Sequence, residues 1–192
     1  AGTINENDGD NNFKKGLVSN RIDLLTEFDV SAPWGGVRLS GTGFYDDVYR
    51  KHNDNDGSQG VNNYIQSQAP DAFLPETRRR HGQNAELLDA FVFVKGNLGG
   101  GTAGTLRLGK HTLQYGESLF FGQNGIANAQ GPVDVAKILS VPGWQFKEVL
   151  LPVEQVSTSV QLRPGLSVGG YYQFKWRPSR IPGVGSYFSN QD

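Results

Sequence analysis

The chain has 192 residues, of which 36% are hydrophobic and 26 are Gly, and its 18 Lys plus Arg nearly balance 19 Asp plus Glu. Near-neutrality removes the global basic field expected of a nucleic-acid binder. The absence of Cys excludes a disulfide scaffold, a thiolate zinc site and a cysteine nucleophile. Many Gly with eleven Phe, seven Tyr and three Trp suit short strands and tight turns better than helices.

Residues 1–16, rich in Asn, Asp and Gly, read as a polar lead-in. Alternation then begins. Ile22, Leu24, Thr26, Phe28 and Val30 share one face of a strand, and Arg21, Asp23, Leu25, Glu27 and Asp29 share the other. Ala32-Pro33-Trp34-Gly35-Gly36 is a turn. The second strand sets Val37, Leu39, Gly41, Gly43 and Tyr45 against Arg38, Ser40, Thr42 and Asp46, interrupted by Phe44. A long polar loop over about 50–84 follows.

The third strand, about 86–98, places Leu88, Ala90, Val92 and Val94 on one face and Leu87, Asp89, Phe91, Phe93 and Lys95 on the other. A Gly-rich turn at 99–104 leads to a fourth strand, in which Leu106 and Leu108 oppose Arg107 and His111. A second long loop, 116–146, carries a short helix over 132–140. Pro132 suits its first turn, Asp134 its dipole, and Val135, Ile138 and Leu139 form a small apolar face. The fifth strand alternates Val156, Thr158, Val160 and Leu162 with Gln155, Ser157, Ser159 and Gln161. After the tight turn Pro164-Gly165, the sixth sets Leu166, Val168, Gly170, Tyr172, Phe174 and Trp176 against Ser167, Tyr171, Gln173, Lys175 and Arg177.

The expected fold class is therefore all-β: an antiparallel up-and-down meander of about six strands, with a short helix in one long loop. No run approaches the ~20 apolar residues of a membrane-spanning helix. Short turns alternating with long loops, and strands of ~9–11 residues, are the pattern of a transmembrane β-barrel. Trp34, Tyr45, Tyr49, Tyr115, Phe174 and Trp176 lie near strand ends, where interfacial aromatic girdles sit. A soluble β-sandwich or lipocalin-like barrel also alternates, with the apolar face turned inward instead.

Five stretches are more specific than barrel patterning. They are Ser19-Asn20-Arg21-Ile22-Asp23-Leu24-Leu25-Thr26-Glu27-Phe28, Leu108-Gly109-Lys110-His111-Thr112-Leu113-Gln114-Tyr115-Gly116-Glu117-Ser118-Leu119-Phe120-Phe121, Pro132-Val133-Asp134-Val135, Phe146-Lys147-Glu148-Val149-Leu150-Leu151-Pro152-Val153, and Tyr171-Tyr172-Gln173-Phe174-Lys175-Trp176-Arg177-Pro178-Ser179-Arg180-Ile181-Pro182. In order and spacing they resemble the proteobacterial outer-membrane family known as domain of unknown function 1302. The resemblance implies a Gram-negative outer-membrane barrel longer than this sequence, so residues 1–192 are expected to be the N-terminal portion of a single barrel domain. It implies outer-membrane lipid as a partner. It also implies company with a periplasmic lipid-carrier-like protein and a resistance-nodulation-type exporter, hence traffic in lipid- or sterol-like molecules. No activity, catalytic residue or cofactor is carried over from it.

The expected function is passage of hydrophobic or amphipathic solutes across the outer membrane. The alternative is a structural or surface-interaction barrel without transport. No enzyme chemistry is legible, since His52, His81 and His111 lack metal-ligand spacing and no activated nucleophile accompanies them. His52-Asn53-Asp54-Asn55-Asp56-Gly57 has the look of a calcium loop, but a His stands where the first Asp belongs, so a solvated loop is the plainer expectation. The candidate lumen or loop contacts for a solute are Arg78, Arg79, Arg80, His111, Glu117, Lys175 and Arg177.

Overall fold

The structure is a computed structural model that describes residues 8–58, 69–97, 99, 102–115, 130–144 and 146–189. Six strands form one antiparallel sheet in sequence order: β1 (Arg21–Ala32), β2 (Gly35–Asp46), β3 (Gln83–Asn97), β4 (Ala103–His111), β5 (Val153–Arg163) and β6 (Leu166–Gln173). The expected all-β meander is the observed one. The turns β1–β2, β3–β4 and β5–β6 lie at one end of the sheet. The described residues of the longer connections 47–82 and 112–152 lie at the other, with the segment after β6. At the β5–β6 turn Gly165 takes a φ of 79°, a conformation that costs glycine little.

Pairing aligns the two sets of side chains into continuous rows. Val30, Val37, Val92, Leu108, Val156 and Tyr172 follow one another across all six strands on the outer face. One residue further along, Ser31, Gly36, Phe93, Arg107, Ser157 and Tyr171 form a row on the inner face. The Phe93 ring lies directly over Gly36, where a Cβ would come within 2.7 Å of it. The outer face is uncovered: Ile22 is 75% exposed, Leu24 66% and Tyr172 68%.

The third strand departs from simple alternation. Leu39 pairs with Ala90 but Gly41 pairs with Leu87, so Leu88 and Asp89 together oppose Ser40. This bulge reverses the phase of the strand. Leu87 therefore lies on the outer face and Leu88 joins the inner one, the reverse of what alternation alone predicts. Ser40 stabilises the irregularity: its hydroxyl accepts from the Asp89 N–H at 2.9 Å and bonds the Asp89 carboxylate at 3.1 Å.

The buried core sits beside the sheet, at the loop end. Tyr49, Phe73, Leu74, Thr77 and His81 are almost fully buried there, with Phe13 packed edge-on against both Tyr49 and Tyr187. The first long loop is thus folded in its described part, and includes a helical turn Pro75–Thr77 continued by a π turn Arg78–Gly82. Tyr49 belongs to this core and Tyr115 packs against Tyr171, so neither is an outward-facing girdle residue. Trp34, Tyr45, Phe174 and Trp176 are exposed.

Segment 177–189 crosses the loop end and ties its parts together. Gly183 donates its N–H to His81 Nε2 at 2.9 Å, Thr77 Oγ1 donates to the Val184 carbonyl at 2.7 Å, and Asn12 Nδ2 donates to the Gly185 carbonyl at 2.9 Å. Burial, assisted by the charges of Arg21 and Arg80, pushes the His81 imidazole down to about 4. Its neutral form is the one that can accept from Gly183. The unfolded chain, with His near 6.5, binds this proton first as pH falls. The stabilisation is therefore complete above about pH 6.5, declines between there and pH 4, and amounts to roughly 3 kcal/mol at most. Urea unfolding midpoints at pH 7 and pH 4.5 should fall further for the wild type than for His81→Gln, which keeps an acceptor without titrating. Equal losses would contradict this assignment.

Candidate functional site

The inner face and the described part of the connection between β4 and β5 border an open cavity of about 620 Å³. One wall is sheet: Arg21, Asp23, Leu25 and Glu27 from β1, Arg38 and Phe44 from β2, Leu88 and Phe91 from β3, and Arg107 and His111 from β4. The opposite wall is the loop helix Val135–Ser140 with what flanks it, including Asp134, Lys137, Val141 and Trp144. The described part of the second long loop therefore folds inward over the sheet. The volume is in the ordinary range for a small-molecule site, and the lining is mixed, with charged and aromatic side chains side by side.

The helix is held by its own cap and by the crossing segment. Asp134 accepts from the Lys137 N–H at 2.9 Å, a standard N-cap contact. Its other oxygen accepts from Arg180 at 2.7 Å. Arg180 also donates to both oxygens of Glu86 on β3, at 2.9 and 3.0 Å, and Arg177 donates to Glu86 at 3.0 Å. Two arginines and two carboxylates thus balance in charge, with each side chain largely withdrawn from solvent. Main-chain bonds reinforce them: Val135 donates to the Arg180 carbonyl at 2.8 Å, and Arg180 donates to that of Val133 at 2.9 Å.

A second network lies in the open part of the inner face. Arg38 bonds Asp29 at 2.8 Å, Asp89 at 3.3 Å and Glu27, so one guanidinium serves three carboxylates. Arg21 pairs with Asp23 at 2.7 Å and lies 3.7 Å above the Phe44 ring centre.

The residues singled out from sequence are dispersed. Arg79 and Arg80 both clamp Glu76 one turn earlier, and Arg80 also donates to the Ile181 carbonyl. This draws Glu76 below the ordinary carboxylate range, through the hydrogen bond from Arg79 above all. Arg78 is in the same turn. Lys175 lies beyond the end of β6, pairs with Glu154 at 3.4 Å and is exposed. Glu117, with Phe120 and Phe121, lies outside the described residues. Arg177 is in the charge-balanced network, and only His111 of the set lines the cavity.

His111 is fully engaged. Nε2 is 2.8 Å from Ser157 Oγ and Nδ1 is 3.0 Å from the Gly109 carbonyl, and Gln155 donates to the His111 carbonyl at 2.8 Å. Gly109 makes this possible. Its φ is 128°, and a Cβ there would meet the Ala90 carbonyl oxygen at 2.4 Å. Among the described residues no carboxylate bonds this imidazole, and no three His, Asp or Glu are grouped to hold a metal ion. In the calcium-like loop, Asn53, Asn55 and Asp56 each accept from a backbone N–H two residues on, as Asx turns. Glu86 and Arg180, the centre of the network, are 94 positions apart and carry no local sequence signal.

Fold and site together define an all-β meander with an apolar outer face and a polar, cavity-forming inner one. The chain belongs to the family described as protein of unknown function DUF1302, whose model matches residues 2–192. No curated protein and no solved structure matches it.

The network makes a local prediction. Replacing Arg180 by Gln leaves Glu86 and Asp134 short of a partner, a loss on the order of 2 kcal/mol for groups this withdrawn from water. Amide hydrogen exchange should accelerate in Val135–Ser140 and leave β1 and β2 unchanged. Uniform acceleration, or none in the helix, would contradict a local tether.

Proposed function

We propose that this chain forms the wall of an outer-membrane β-barrel through which hydrophobic or amphipathic solutes pass. The observation that carries the reading is the six-strand apolar row on the outer face, set against charged side chains around a cavity on the inner face. In water such an outer face is an unfavourable exposure of contiguous apolar surface. Against lipid tails it is the ordinary solution, with aromatic residues at both margins. Trp34 at the turn end and Tyr45, Phe174 and Trp176 at the loop end fit those margins. In a bilayer the outer edges of β1 and β6 also require pairing, because unsatisfied backbone groups there cost several kcal/mol each.

The inner wall supports passage of amphipathic solutes. Leu25, Phe44, Leu88, Phe91 and Trp144 share it with the ion pairs, so a solute with an apolar body and a polar group finds both kinds of contact. The inward loop helix narrows the space.

Two arginine substitutions test the reading in cells. Val92→Arg places a charge on the outer face and should cost ~2–4 kcal/mol if that position lies at the bilayer midplane. Leu25→Arg makes the same chemical change on the inner face. The outer-membrane fraction should lose Val92→Arg and retain Leu25→Arg, and deleting the gene should slow entry of a lipophilic fluorescent probe. Equal amounts of both variants in the membrane would contradict the orientation, and unchanged probe entry would contradict passage.

A further inference from the structure

We infer that the cavity binds an amphipathic anion, its carboxylate-like head on Arg107 and its apolar body against Phe91 and the Val141–Trp144 wall. The inference rests on reading the inner face as a lumen wall and adds the chemical class of the solute. Its basis is charge accounting around the cavity. Arg21 is paired with Asp23, Arg38 with three carboxylates, Lys137 with Glu148 at 3.4 Å, and Arg180 with Glu86 and Asp134. Among the described residues, Arg107 is the one cavity-lining cation with no carboxylate partner. Its cross-strand neighbours on the inner face are Phe93 and Ser157, and its guanidinium lies 5.9 Å from the Phe91 ring centre.

The distribution of charge also directs the ligand. Around Arg38 three carboxylates share one cation, so the β1–β2 part of the wall carries excess negative charge and repels an anion. At β4 the balance is reversed, and Arg107 offers a planar fork of donors suited to a carboxylate or sulfate. His111 cannot compete for the head, since both its ring nitrogens have partners. The rest of the wall near Phe91 is apolar enough for an alkyl or ring body, through Leu88, Val141 and Trp144. A neutral lipid would leave Arg107 without its ion pair, and an inorganic anion would leave the apolar wall uncovered. The two features together select a molecule with both parts.

The test uses the full chain in detergent with Trp34→Phe and Trp176→Phe, so that Trp144 reports alone. An ω-brominated medium-chain carboxylate and the ω-brominated alcohol of equal length serve as quenchers. Saturable quenching by the carboxylate is expected. Affinity should fall roughly tenfold or more for the alcohol and for Arg107→Gln, the scale of one charge-assisted hydrogen bond, and recover in part with Arg107→Lys. Among the described residues Arg107 has no ion pair to lose, so Arg107→Gln should fold, and an unchanged urea midpoint checks this. Equal binding of acid and alcohol, unchanged binding by Arg107→Gln, or linear non-saturable quenching would each overturn the site. Probe entry in the deletion strain is scored separately. Acid binding without a passage defect upholds the site and removes the transport reading, whereas a passage defect with Arg107-independent binding does the opposite.

Discussion

An antiparallel sheet presents two faces, and which one is apolar decides where a chain can be stable. Here the apolar row is on the outer face and remains uncovered, while the inner face carries Arg21, Glu27, Arg38, Asp89 and Arg107. The sheet therefore derives little stability from burial in water. Its strands are held by ladder hydrogen bonds and by inner-face ion pairs.

The loop end supplies what the sheet lacks, a core protected from solvent. Tyr49, Phe73, Leu74 and His81 are buried in it, and contacts from Asn12, Thr77 and Tyr49 to segment 183–187 close it from three parts of the chain. The same returning segment provides Arg177 and Arg180, which bind Glu86 on β3 and Asp134 at the start of the loop helix. Stability at the loop end and position of the helix over the cavity are thus carried by one stretch of backbone.

Alternation was legible because period two is a local property: the faces of β1, β2, β5 and β6 can be read residue by residue. The bulge was not, since Leu88 and Asp89 become neighbours on one face only through pairing with Ser40, a residue far away in sequence. The basic run 78–80 stands in the sequence as a set of candidate solute contacts, whereas Pro75 at a helix start and Glu76 three and four residues before Arg79 and Arg80 signal an ion-paired helical turn. Of the candidate contacts, His111 reached the cavity because strand parity placed it there. Arg177 was found without its role, because its partner Glu86 lies 91 residues earlier. Arg107 stands on the polar face in the sequence, but its having no acidic partner among the described residues is a property of the folded inner wall.

The central claim is that the outer face meets lipid. The absence of Cys allows single nitroxide labels to be placed in turn along residues 22–30 of β1 in the full chain reconstituted in bilayers. Collision with oxygen, which concentrates in the hydrocarbon, should peak at Ile22, Leu24, Thr26, Phe28 and Val30. Collision with a water-soluble nickel chelate should peak at Asp23, Leu25, Glu27 and Asp29. Two opposed rhythms of period two are the predicted result. The same rhythm with the two relaxants exchanged, or access to the nickel chelate at every position, would contradict the account.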